Sequence, residues 1–117
     1  MRRKPNKLRK LIKEADKLFQ LKMIKLKPES IISGQPTEVI HHFVEKGQSK
    51  NLRYDGDNGI PLTNKEHCQH HLSGDPMIVI TIKEKMGQKW LDDIQERRRI
   101  DCKFNIGYIK GIIEKLK

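Results

Sequence analysis

All five histidines of this 117-residue chain fall between positions 41 and 71. That clustering constrains the fold more than any other feature, because it demands short elements that turn back and present their side chains to one another. A histidine serves as metal ligand, proton shuttle or general base, since its side chain titrates near neutrality. One histidine taken singly is usually structural or at the surface. Five within 31 residues call for a shared purpose.

His41 and His42 stand in TEVIHHFV, residues 37–44, a stretch of β-formers that reads as a strand. Neighbouring strand residues point to opposite faces, so a regular strand delivers only one of the pair to a given ion. His67 and His71 follow, four apart, in a segment capped by Asn64, running through Leu72 and stopped by Gly74. On a helix that spacing puts two rings on one side with Cβ atoms about 5–6 Å apart, close enough to share a cation. His70, three residues from His67, could replace His71. Between the two groups lies the polar EKGQSKNLRYDGDNG, mostly loop. GIPL, residues 59–62, could then pair with the first strand as an irregular hairpin. Asp55 and Asp57 in DGDNG resemble part of a calcium loop, but the later Glu is not at the required offset, so the segment reads as a turn.

Helical patterns flank this centre. Leu8, Leu11, Ile12, Ala15, Leu18 and Phe19 recur at spacings of three and four over Lys7 to about Met23, with Lys7, Arg9, Lys10, Lys13 and Lys17 on the other side. MIVITI alone looks like a strand, yet Asp75–Pro76 is a good helix start and Gly87 a good stop, which favours a helix over 76–86. QKWLDDIQERRR follows with Trp90, Leu91 and Ile94 inward, and Tyr108, Ile109, Ile112, Ile113 and Leu116 mark a last helix. The expected fold is mainly α with a small β-hairpin, in one domain. It comprises a basic N-terminal helix in 1–30, a hairpin-and-helix core in 37–74 and a helical extension in 75–117. Phe19, Trp90 and Phe104 read as core anchors. Cys68 and Cys102, with no CxxC, read as small buried apolar residues.

Lys and Arg outnumber Asp and Glu by 25 to 15, a net charge of +10. Such an excess favours a polyanionic partner, nucleic acid first and an anionic membrane surface second. No segment is long and apolar enough to cross a bilayer. MRRKPNKLRK leads into no apolar signal core, so the expected compartment is the cytoplasm. Aromatics make up only 5%, too few for the stacking platform of a single-stranded RNA module. The candidate contacts to DNA phosphates are Lys46, Lys50 and Arg53 on the long loop, and Arg97 and Arg98 in the RRR run.

The run I-H-H-F, then D-N-G-I-P-L-x-x-x-x-H-x-x-x-H, resembles the HNH endonucleases of the ββα-metal type. The step of nine from Asn58 to His67 and of four from His67 to His71 are those of the nuclease colicins. The longer run HHF…LRYDGDNGIPLTNKEHCQHHLSGDP is similar to phage recombination endonucleases of the NinG kind, over residues 37–76. The resemblance implies a ββα-metal core in which His41, His67 and His71 hold one divalent cation. It implies His42 as general base, and Asn58 holding the His42 loop through a hydrogen bond. The implied activity is hydrolysis of DNA to a 5′-phosphate and a 3′-hydroxyl, in a host cytoplasm if phage-encoded, by a monomer or homodimer. Magnesium, manganese, nickel or zinc could fill the site, and three neutral imidazoles favour the transition metals. Many such nucleases hold a structural zinc with cysteines where this chain has Thr63 and Glu66, and KPESIISGQP has no cysteine either. The hairpin and helix are therefore expected to hold together by packing alone. The alternative is a non-catalytic DNA-binding protein with a structural metal on the same scaffold, which would have no need of His42.

Overall fold

The computed structural model describes residues 6–117. Five helices surround a two-stranded antiparallel sheet, in the order α1 (Asn6–Leu26), β1 (Val39–His42), a 3₁₀ turn (Gly56–Asn58), β2 (Gly59–Leu62), α2 (Asn64–Ser73), α3 (Pro76–Met86), α4 (Gln88–Arg98) and α5 (Ile106–Leu116). The mainly helical expectation with one small hairpin holds. No described helix is long and apolar enough to cross a membrane.

α1 is the spine. Its buried stripe of Leu8, Ile12, Ala15, Phe19 and Met23 serves two partners. The first half packs on Ile109 and Ile113 of α5, and the second half on Ile40 of β1. A separate cluster joins Ile60 and Leu62 of β2 to Ile78 and Ile82 of α3. Val44 and Leu52 of the long loop pack on Ile94 of α4. The hairpin is thus held from three sides by apolar side chains from different helices.

The sheet has two edges, and the register explains how both are satisfied. Ile40 pairs with Pro61, and His42 with Gly59. Pro61 has no N–H to leave unpaired, and its carbonyl, on the outer side, accepts from Ile31 N at 3.1 Å. The outward groups of Ile40 are met by one side chain of α1. Gln20 Nε2 donates to Ile40 O at 2.8 Å and Gln20 Oε1 accepts from Ile40 N at 2.9 Å. At Gly59 the strands and α1 come so close that a Cβ would lie 2.8 Å from Ile40 Cγ2 and 3.3 Å from Phe19.

Several sequence expectations need correction. Asn64 is the first helical residue of α2; the cap is Thr63, which accepts from Glu66 N while Glu66 reaches back to Thr63 N in a capping box. Nor is packing alone the tie between hairpin and helix. Ser30 Oγ donates to Glu66 Oε1 at 2.5 Å, which joins the cysteine-free connection to α2 by hydrogen bonding. Another correction concerns Cys68, which is exposed, while Cys102 is half-buried. α2 turns its histidine edge toward β1, and that rotation leaves Cys68 outward. The strand over 37–44 is regular only from Val39 to His42, because Asn58 takes over the backbone of the residues that follow.

Candidate metal centre and its neighbouring imidazole

Strand alternation separates the two adjacent histidines. His41 is buried and meets the α2 histidines, with ring centroids 5.3 Å from His67, 4.8 Å from His70 and 5.4 Å from His71. His41, His70 and His71 each offer a ligand atom, and these atoms all lie within 4.8 Å of one another, so the cluster can hold a metal ion. His67 lies beside this group, with its Nε2 3.0 Å from that of His71. Two ligands at about 2.0–2.1 Å from one ion lie roughly 2.9–3.4 Å apart, so this pair is already spaced for coordination. Sequence reading selected His67 and His71 and left His70 as a substitute. In the fold all three face His41, because positions i, i+3 and i+4 share one side of a helix.

The cluster favours neutral rings. Burial, followed by the neighbouring histidines, pulls His41 down to about 3. Burial, followed by His71, also lowers His67 and His70. A neutral imidazole is the ligand form, so the lowering at His41, His67 and His70 favours binding a cation.

His42 faces the other way, against the ring of Phe19 at 5.3 Å between centroids. Its Nε2 lies 2.9 Å from Arg53 O. A carbonyl only accepts, so Nε2 carries the proton and Nδ1 is left with the lone pair. Burial lowers the His42 pKa against the raising effect of that hydrogen bond, and the charge of Lys46 lowers it further. The Arg53 backbone is itself anchored. Its guanidinium grips Asp16 of α1 with Nε–Oδ1 at 3.0 Å and Nη2–Oδ2 at 2.6 Å, and Tyr54 Oη donates to Asp16 Oδ1 at 2.9 Å. Burial alone would raise the Asp16 carboxyl, but hydrogen bonds from Arg53 and Tyr54 and the Arg53 charge hold it below its ordinary value.

Asn58 is fully buried. Its Oδ1 accepts from Val44 N at 2.8 Å, and its Nδ2 donates to Val44 O at 3.0 Å and Leu52 O at 3.2 Å. It ties both ends of the loop together one residue from Arg53 and two from His42. It reaches His42 and Arg53 only through the backbone of their neighbours. Outside it, α4 braces the turn: Arg97 pairs with Asp55 and Asp57, and Trp90 Nε1 donates to Asp57 O at 2.8 Å.

A cavity of about 220 Å³ joins the two halves of the site, lined by Gln20, both strand histidines, Lys46, His67 and His71 among others. A larger groove of about 730 Å³ runs along another side of α2, lined by Ile32, Pro36, Met77 and Ile78, but it contains no histidine. The chemistry selects the smaller one.

The basic candidates divide. Lys46, Lys50 and Arg98 are exposed, and Lys46 borders the cavity. Lys50 Nζ also lies 5.7 Å from the centre of the Phe104 ring. Arg53 and Arg97 pair with the protein's own carboxylates. Sequence reasoning missed Asp16 and Gln20. The available signal was their position, i and i+4 along the edge of the α1 apolar stripe, where a polar side chain reaches a neighbouring backbone. Comparison of the chain with protein-family models, with curated proteins and with solved structures finds no match in any of the three.

Proposed function

We propose that the protein is a metal-dependent DNA endonuclease of the HNH, ββα-metal kind. The observation that carries this reading is the pairing of unlike roles on adjacent residues. His41 enters the imidazole cluster, while His42 is fixed by Arg53 through Nε2 and keeps Nδ1 as its acceptor, with both residues on one cavity. A metal kept only for folding has no use for a second, separately oriented imidazole beside it.

His41 and His71, with His67 or His70, would hold the divalent cation. Bound there, the ion supplies relief of negative charge at the scissile phosphate and the leaving oxygen. His42 takes a proton from water as the water oxygen bonds to phosphorus. The P–O3′ bond breaks and the 3′ oxygen is protonated from solvent, which leaves a 5′-phosphate. General-base assistance of this type is worth about 10²–10⁴-fold. Asn58 and the Asp16–Arg53 pair keep the base in its tautomer and angle. Lys46 at the rim offers a cation to the DNA backbone, and the net charge of +10 draws a polyanion to the surface.

Supercoiled plasmid incubated with the purified chain and manganese, magnesium, nickel or zinc tests the reading. Conversion to nicked or linear DNA with at least one of these ions, stopped by a chelator, is expected. DNA binding without cleavage under every metal refutes it in favour of the non-catalytic alternative.

A further inference from the structure

His41, His70 and His71 form a three-nitrogen group, and His67 stands beside it with its Nε2 3.0 Å from that of His71, whereas an open catalytic centre of the proposed kind uses three ligands in all. We propose that His70 is a fourth ligand, so that the centre has a closed form specific to zinc and other ions that prefer four nitrogen ligands. The proposal rests on the reading of this cluster as the metal centre and assigns its regulation.

The geometry treats His70 as an equal member. Its ligand atom falls within 4.8 Å of those of His41 and His71, and its ring centroid lies 4.8 Å from each of theirs. His71 is shared between two possible groupings, since its Nε2 also stands 3.0 Å from that of His67. One helical edge therefore offers three nitrogens, and β1 offers the fourth from the opposite side. Rotation about the side-chain bonds of His67, which already touches His71, would turn its ring in beside that of His70, so that all four nitrogens meet one ion. His70 is half-exposed, which leaves its ring room to rotate.

Coordination number then decides function. Zinc is four-coordinate in closed sites, and four imidazoles complete its shell with no position left for water or phosphate. Manganese and magnesium take six ligands and prefer oxygen, so they retain open positions even with several imidazoles present. The same residues thus give an open centre with one class of ion and a sealed one with the other. Zinc becomes an inhibitor that competes with the activating ion.

The test uses the full chain and two variants, His70→Ala and His70→Gln, with cobalt as a spectroscopic stand-in for zinc. Wild type is expected to show the intense visible bands of four-coordinate cobalt, and both variants the weak bands of higher coordination. Zinc affinity, measured by competition with a chelating indicator, should fall at least about tenfold in both variants. Manganese-supported plasmid cleavage by wild type should be blocked by one equivalent of zinc. Unchanged cobalt spectra and zinc affinity in both variants overturn the proposal. A His70-dependent cobalt spectrum in a protein that cleaves with no metal supports the fourth ligand and refutes the endonuclease reading.

Discussion

Replacing Asn58 with alanine should be among the most destabilising single changes available to the chain. Three hydrogen bonds from this fully buried amide disappear together. Leu52 O retains a partner, since it also accepts from Asp55 N at 3.2 Å. The N–H and C=O of buried Val44 are left with nothing in the same place. Each buried group so orphaned costs about 1–3 kcal/mol. With some relaxation of the loop, the net loss should be about 3–4 kcal/mol, a large share of the roughly 5–15 kcal/mol that a domain commands. For a chain of this size that corresponds to a drop in Tm of about 10–15 °C. Asn58→Asp should do at least as much harm, because a carboxylate accepts from Val44 N but donates to neither carbonyl and buries a charge. Urea unfolding followed by the single tryptophan, Trp90, which touches the same turn through Asp57 O, reads the change directly. A loss under about 1 kcal/mol in both variants would show that the loop is not held by this side chain.

Gly59→Ala forces a Cβ to within 2.8 Å of Ile40 Cγ2 and should cost about 1–3 kcal/mol through overpacking; an unchanged midpoint in urea would contradict the strand-to-α1 approach described. Asp16 has a depressed carboxyl pKa, so its contribution to stability is present above its unfolded pKa and is lost as pH falls through the folded value. The stability gap between wild type and Asp16→Ala should therefore be full at pH 7 and shrink as the pH falls below the ordinary aspartate range. A pH-independent gap would deny the Arg53 pairing a role. Gln20→Ala strips both partners from the outward backbone of Ile40 and should lower stability by about 1–3 kcal/mol; Gln20→Glu should recover only the bond from Ile40 N, and equal stability of all three would refute the clamp.

The elements that sequence pattern located well are those whose signal is local. Asp75, Pro76 and Gly87 frame α3 despite its strand-like MIVITI, because capping and a fixed proline φ decide between two otherwise comparable readings. The α1 stripe and the α5 face follow from spacing alone. What pattern could not give is partnership at long range. Arg53 and Arg97 look like phosphate contacts in a basic sequence. Only the fold brings Asp16, 37 residues away, and Asp55 and Asp57, 42 and 40 away, to pair with them. His70 was legible as a spare ligand, but its equal standing with His67 depends on how α2 rotates over β1. That rotation is fixed by Thr63, Glu66 and Ser30, an arrangement made of polar contacts that hydrophobic periodicity does not report.

The central claim is that His42 extracts a proton from water beside a cation held by its neighbours. Single-turnover cleavage of plasmid by wild type and His42→Ala, at matched and independently measured metal occupancy, tests it most directly. The account predicts that metal affinity stays within a few-fold while the cleavage rate falls by about 10²-fold or more. Equal rates at equal occupancy, or loss of the metal itself on removing His42, would contradict it.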